Sequence, residues 1–166
     1  MATVKQIDRI AGRTRAVQSV PENATVAEAA AKMADNQIGC MLVVNRLGEL
    51  LGLFTERDLV REIVAKQVDP SRFKVSEIMV RDIVTCGPNT SVARVEELMF
   101  ENGIRHVPIV DKGVPVGIVS SRDVLAYKLA YTEALVTQQT SVLRDVEARY
   151  PGVTGLQKDI SGRVVL

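Results

Sequence analysis

Two short segments carry the residue types best suited to holding a ligand: residues 52–58 read GLFTERD and residues 117–123 read GIVSSRD. In each, a hydroxyl (Thr55, Ser120) is followed three positions on by a carboxylate (Asp58, Asp123), with an arginine (Arg57, Arg122) immediately before the acid. Ser/Thr-x-x-Asp ahead of an apolar run is a helix capping box, one methylene shorter than the preferred Glu form. A capped helix start also presents free backbone N–H groups and a partial positive charge to an anion, so the same place suits a phosphate. The two readings are compatible. Thr25-Val26-Ala27-Glu28 has the same pattern and is read as a cap alone. Capping does not demand a glycine three residues before the hydroxyl, yet Gly52 and Gly117 stand there in both segments, where a missing side chain lets another group come close to the backbone.

The elements that position these residues follow from an internal repeat. Residues 19–44 align with residues 85–110 without a gap at an offset of 66, and after a one-residue adjustment in a turn the register continues at an offset of 65. Each copy predicts strand, helix, strand, strand, helix. Short β-prone runs at 15–20 and 82–86 precede turn residues (Pro21 and Asn23; Gly87, Pro88 and Asn89). Thr25 and Ser91 are natural N-caps, and Val26, Ala29, Ala30 and Met33 in one copy, with Val92, Val95 and Met99 in the other, recur at helical spacing and face inward. Tight turns at 46–48 and at Lys112-Gly113 join strands 40–44 to 50–54 and 107–110 to 114–119. Pro108 and Pro115 cannot donate to a ladder and are expected at a sheet edge or strand start.

The expected fold class is α+β: two pseudo-twofold-related β-α-β-β-α modules packed through their sheets, with a C-terminal helical extension. The expected organisation is a first module with its N-terminal lead-in at 1–66, a linker at 67–75, a second module at 76–130, and a helix and tail at 131–166. Leu135, Val136, Val142, Leu143 and Val146 carry the last helix to about Arg149, where Tyr150-Pro151-Gly152 breaks it. The remaining GLQKDISGRVVL reads equally as a dimer strap or as a tail.

Bulk composition excludes several classes. Lys plus Arg total 21 against 20 for Asp plus Glu, and no basic block is long enough to bind nucleic acid. The longest apolar run, Cys40–Val44, is far below the roughly 20 residues that cross a bilayer, and no secretory signal is visible at the N-terminus, so a cytoplasmic, membrane-free protein is expected. Cys40 and Cys86 lack metal-ligand spacing and read as small buried residues; no metal site is expected. His106 is the single histidine and has no nucleophile paired with it in sequence, and HExxH, GxSxG and Walker-A patterns are absent, so no catalytic residues are assigned.

Taken together, GLFTERD and GIVSSRD, the upstream SVPENATV and TCGPNTSV, the run Gly103-Ile104-Arg105-His106-Val107-Pro108 and the segment Ile78-Met79-Val80-Arg81-Asp82 resemble tandem cystathionine-β-synthase (CBS) domains over roughly residues 4 to 130. The resemblance implies a regulatory module that binds an adenine nucleotide. Its hydroxyl residues would face phosphate, its aspartates would hold the ribose hydroxyls, and its glycines would admit a planar base. Carried over, Thr55 and Asp58 serve one site and Ser120 and Asp123 the other. Adenine would be read by backbone groups of Val17, Gln18 and Ser19, or of Ile83, Val84 and Thr85. The second site looks better equipped, because Arg105 and His106 stand where the first copy has Gly39 and Cys40; both are candidate phosphate donors, as are Arg57 and Arg122. AMP is the leading ligand, with ATP, ADP, NAD and S-adenosylmethionine as alternatives. The expected partners are a second copy, meeting through Leu59, Val60, Ile63 and Val64 with Val124, Leu125 and Leu129, and an unidentified regulated enzyme or transporter. The alternative is a dimerisation or interaction scaffold with vestigial pockets.

Overall fold

The computed structural model describes residues 2–4 and 17–152, and the backbone of 157–158 and 164–165. The chain divides into two compact units, Met1–Val124 and Leu125–Leu166.

The first unit contains both repeats. Copy one runs β1 (Ser19–Pro21), α1 (Val26–Asn36), β2 (Cys40–Val44), β3 (Leu50–Thr55) and α2 (Glu56–Asp58), which passes directly into a π-helical turn, Leu59–Val64. A 3-10 turn (Pro70–Arg72) and α3 (Val75–Ile78) lead into copy two, which runs α4 (Val92–Asn102), β4 (His106–Asp111), β5 (Val114–Ser120) and the start of α5 (Ser121–Arg149). The architecture is the expected α+β arrangement of two repeated modules with a C-terminal helical extension.

The repeat is visible in the details of each element. Helices α1 and α4 bury Val26, Ala29 and Met33, and Val92, Val95 and Met99, respectively, so the inward positions coincide at the 66-residue offset; Ala30 alone of the expected set is only half-buried. Each such apolar side chain stabilises by about 1.5 to 3 kcal/mol when fully buried. The hydroxyls of Thr25 and Ser91 accept from the amides of Glu28 and Arg94, and both helices end on a left-handed residue, Gln37 and Gly103. A bulge interrupts the β2–β3 pairing between Val43 and Val44, and the β4–β5 pairing at the equivalent Ile109 and Val110. The turns differ: residues 45–49 close on the Asn45 side chain, which accepts from the amides of Leu47 and Glu49, whereas Lys112 and Gly113 form a two-residue turn with φ of 51° and 84°.

One expected strand is absent. In copy one β1 pairs in parallel with β2, and Leu42 donates its amide to the Gln18 carbonyl at 3.3 Å. The residue equivalent to Leu42 in copy two is Pro108, which has no N–H to give. Residues 82–86 accordingly retain only the Cys86–Ile109 bridge and form no strand, with Cys86 donating to the Pro108 carbonyl and accepting from Val110. Pro108 therefore sits inside β4 rather than at its start, while Pro115 is the second residue of β5. In the N-terminal run expected as a strand, residues 15 and 16 lie outside the described residues, and the strand begins at Ser19.

The two modules exchange their lead-ins. The segment preceding copy two pairs with the start of α1 through the Thr25–Lys74 bridge, in which Val26 donates to Phe73 and Val75 to Ala24. The segment preceding copy one pairs with the start of α4 through Thr3–Ser91, where Val4 donates to Thr90 and Val92 to Ala2. Val4 and Val75 are both fully buried, and Val75 and Met79 belong to the core of the first module together with Val26, Met33, Met41 and Phe54.

Met79 also explains Gly52. A Cβ at Gly52 would fall on the Met79 sulfur, with Met79 Cγ at 2.7 Å and the Val80 carbonyl at 3.1 Å. Leu53 and Val80 exchange backbone hydrogen bonds of 2.9 Å in each direction, which fixes that approach. The group that needs the bare backbone is therefore a side chain of the protein itself, not a planar base. At Gly117 the close neighbour is the Ile109 side chain, 2.9 Å from where a Cβ would stand.

The face expected to meet a second copy is partly used up within the chain. Ile63 is buried in the core and Leu59 packs against it; Val60 and Val64 stay exposed, as do Leu125 and Leu129, while Val124 is buried. In the second unit, α5 continues to Arg149, the amide of Tyr150 bonds back to Val146, Gly152 has φ of 86°, and Gln157–Lys158 pairs antiparallel with Val164–Val165. No helix among the described residues is long and apolar enough to cross a membrane.

Overpacking a filled core position costs about 1 to 3 kcal/mol. Gly52→Ala is expected to lower the unfolding free energy by an amount in that range, read as a lower urea midpoint at unchanged slope, and Met79→Ala in the same chain is expected to recover part of the loss, since it removes the clashing sulfur; Gly52→Ala with an unchanged midpoint would contradict the packing described.

Candidate functional site

Each Ser/Thr-x-x-Asp segment folds as a reciprocal box. The Thr55 amide and hydroxyl both donate to Asp58 Oδ2, at 2.9 and 2.6 Å, and the Asp58 amide returns a bond to the Thr55 hydroxyl at 3.4 Å. Ser120 and Asp123 repeat the arrangement at 2.8, 2.5 and 3.3 Å. Thr25 and Glu28 form the same three bonds at 2.8, 3.0 and 3.1 Å, as the sequence pattern implies. What separates the pairs is location. Thr55, Asp58, Ser120 and Asp123 are half-buried and all four line one cavity of about 620 Å3, whereas Thr25 and Glu28 do not reach it. That volume lies in the usual range for small-molecule sites.

The residues expected to serve separate sites thus share a single cleft, and its walls repeat with the sequence. Residues 37–40 of one copy and 103–106 of the other stand on its rim, and Val17 and Gln18 are matched by Ile83 and Val84. Of the expected binding residues, Val17, Ile83, Arg57, Arg105, His106 and Arg122 line the cleft with the two boxes; Ser19 and Thr85 do not. Ser19 is a strand residue whose carbonyl accepts from Lys32 Nζ at 2.9 Å, and Thr85 points to solvent next to the Cys86 bridge.

Sequence reasoning missed Glu56, Arg61 and Asp82, all of which line the cleft. Arg61 follows Arg57 by four residues, the spacing that puts two side chains on one helical face, so its position was legible in principle. Glu56 carried no signal beyond being a first-turn acid. Four arginines (Arg57, Arg61, Arg105, Arg122) and four acids (Glu56, Asp58, Asp82, Asp123) line the cleft together.

Burial lowers the pKa of His106, reinforced by the Arg105 and Arg122 charges and opposed by Asp123 and Glu56. The imidazole is therefore neutral at physiological pH, an acceptor as well as a donor. Burial, with Glu56 adding to it, pushes the Cys40 thiol up to about 12, and burial likewise raises Cys86, so neither is a ready nucleophile. Among the described residues no group of three or more His, Cys, Asp or Glu side chains is placed to hold a metal ion.

Comparison with known proteins gives this arrangement its family. The CBS domain profile matches residues 4–65 and 75–130, and the chain belongs to the CBS domain family. A CBS domain-containing protein of Bacillus subtilis is 35% identical over 121 residues, covering 73% of this chain and 85% of that one. An uncharacterized protein of Methanopyrus kandleri is 37% identical over 102 residues, 61% of this chain, and the chain spans 52% of that relative's length. Among solved structures, a CBS-domain containing protein from Agrobacterium tumefaciens superposes with a TM-score of 0.69 at 31% identity, covering 76% of this chain and 99% of its own. A CBS domain protein from Pyrobaculum aerophilum, complexed with AMP, gives 0.65 at 27% identity over 74% and 89% of the two chains. A CBS domain pair in complex with 5′-methylthioadenosine and S-adenosyl-L-methionine gives 0.65 at 27% identity over 75% and 93%.

The depressed His106 pKa has a sign. Its neutral form is favoured in the folded chain, so the unfolded chain binds more protons in acid; His106 imposes no penalty above the ordinary histidine range near pH 6.5 and a growing one as pH falls below it. His106→Asn is expected to flatten the fall of the urea midpoint between pH 7.5 and 5.5 relative to the parent chain, and parallel curves would remove the buried neutral imidazole from the description.

Proposed function

We propose that the chain is an adenine-nucleotide-binding regulatory module of the CBS family, working in the cytoplasm and without catalysis of its own. The observation that carries this reading is the meeting of two capped helix starts, each with its aspartate, on one cleft that four arginines also line. Within each box the carboxylate accepts through Oδ2, and a carboxylate has two oxygens with about four acceptor sites, so the same residue type suits both a cap and a sugar diol. In this reading Asp58 and Asp123 hold ribose, Thr55 and Ser120 with Arg57, Arg105, Arg122 and His106 face phosphate, and Val17 and Ile83 flank the base. The AMP and S-adenosylmethionine complexes of similar CBS proteins support an adenosyl ligand, with AMP first and ATP, ADP or NAD as further candidates.

A ligand shifts a conformational equilibrium only by binding one state better than another. Phosphates that engage Arg105 and both helix starts at once would draw the two repeats together, and exchange of mono- for triphosphate would reset that distance and the contact with a second copy or a regulated enzyme or transporter. The alternative, an interaction scaffold, draws support from the exposed Leu125, Leu129 and Val136 of α5.

Hydrogen bonds to a charged group contribute about 1.5 to 3 kcal/mol each. Asp123→Ala is therefore expected to weaken AMP binding about 10- to 100-fold by calorimetry, with circular dichroism unchanged. Equal affinity in a folded variant would reject the ribose assignment and favour the scaffold.

A further inference from the structure

The two ends of the cleft share the same strand-to-helix hydrogen bond and differ in the charged side chains beside it. Glu56 donates its amide to the Gly39 carbonyl at 3.1 Å, and the equivalent Ser121 donates to the Arg105 carbonyl at 3.0 Å. Cys40 pairs with Thr55 across β2 and β3, and His106 pairs with Ser120 across β4 and β5, which fixes the equivalence independently of any alignment. At this matched pair of positions one copy carries glycine and glutamate, the other arginine and serine.

The glutamate is not turned away. Its carboxylate lies over Gly39, with Oε2 3.0 Å from where a Cβ would be. Glu56 lines the cleft within electrostatic reach of both Cys40 and His106. Among the described residues no lysine or arginine forms an ion pair with it. One end of the cleft thus offers an anion the Arg105 guanidinium beside the helix start, and the other carries the Glu56 carboxylate in the corresponding place, with no ion pair to it among the described residues.

We propose that Glu56 is a specificity-determining residue that makes the cleft one-sided: a nucleoside monophosphate binds at the Ser120–Asp123 end with its phosphate toward Arg105, and Glu56 repels a second phosphate from the Thr55–Asp58 end. This rests on the reading of the cleft as a nucleotide site. The boxes alone would make the two ends equal; the Gly39–Glu56 and Arg105–Ser121 pairs differ by two charges, a difference that Arg61, which lines the cleft and corresponds to Ala126, reduces to one. A neutral nucleoside lacks the phosphate that feels this difference.

The test is calorimetry of the full chain with AMP and with adenosine, on the parent, Glu56→Ser and Glu56→Gln. Glu56 is exposed, so both substitutions leave the core intact. The parent is expected to take up one equivalent of AMP. Both variants are expected to gain a second equivalent, with affinity at the Thr55–Asp58 end about 3- to 10-fold higher than in the parent, and the gain is expected to shrink as salt is raised. Adenosine affinity is expected to be the same in all three chains, a readout that a merely structural role for Glu56 would move in parallel with AMP. Reciprocally, Ser121→Glu is expected to lose AMP and keep adenosine. Two equal AMP equivalents in the parent, variant isotherms that superimpose on the parent's, or adenosine shifts equal to the AMP shifts would each overturn the role of Glu56. A parent chain that binds neither AMP nor adenosine would instead overturn the nucleotide reading of the cleft, and the inference with it.

Discussion

An aspartate bonded back to the residue that starts its own helix sets the geometry of both ends of the cleft. The hydroxyl and amide of Thr55 converge on Asp58 Oδ2, and those of Ser120 on Asp123 Oδ2. Three bonds in so small a ring hold the carboxylate against the first turn, beside amides that have no partner within the helix. A glutamate, with one more methylene, closes the same ring at Thr25 and Glu28 on a part of the surface away from the cleft. The box recurs along this chain, and what brings those at Thr55 and Ser120 to the cleft is the strand that delivers them, β3 in one copy and β5 in the other.

Much of this was legible in the sequence because the repeat fixes local structure twice over. The caps at Thr25 and Ser91, the buried faces of α1 and α4, and the left-handed ends at Gln37 and Gly103 obey one spacing, and each copy corroborates the other. The parts that escaped depend on contacts distant in sequence. Nothing local to Gly52 announces that Met79 will sit on it, and the glycine reads as ligand-facing until that side chain is seen. Pro108 was recognised as a poor donor, but its effect falls on Val84, a residue of a different segment, whose carbonyl loses its counterpart of the Leu42–Gln18 bond. The π turn at Leu59–Val64 has no sequence signature, and the burial of Ile63 in the core of its own module shows only once that module is folded. The sharing of one cleft by both boxes follows from the packing of the copies, which no pattern along the chain reports.

Symmetry in this fold supplies shape, and departures from it supply chemistry. The cleft is framed by matched segments at 37–40 and 103–106 and by matched helix starts, so its outline follows the repeat. The polarity does not. Gly39 and Glu56 face Arg105 and Ser121, Cys40 faces His106, and a short α turn that becomes π in the first copy corresponds to the start of the long α5 in the second. Around the cleft most of these differences are side-chain changes on a shared strand-to-helix connection, which is how a duplicated unit acquires two unlike ends.

The crossing of the lead-in segments reaches beyond the folded molecule. The core beneath α1 includes Val75 and Met79, with Phe73 and Ile78 packed against it, all from the segment that leads into the second repeat. A nascent chain leaving the ribosome has therefore made every strand of its first repeat before it holds the residues that seal it. Those strands must wait, half-finished, for the opening of the second repeat to emerge, and the two copies reach the native state as one cooperative event and not in order of synthesis.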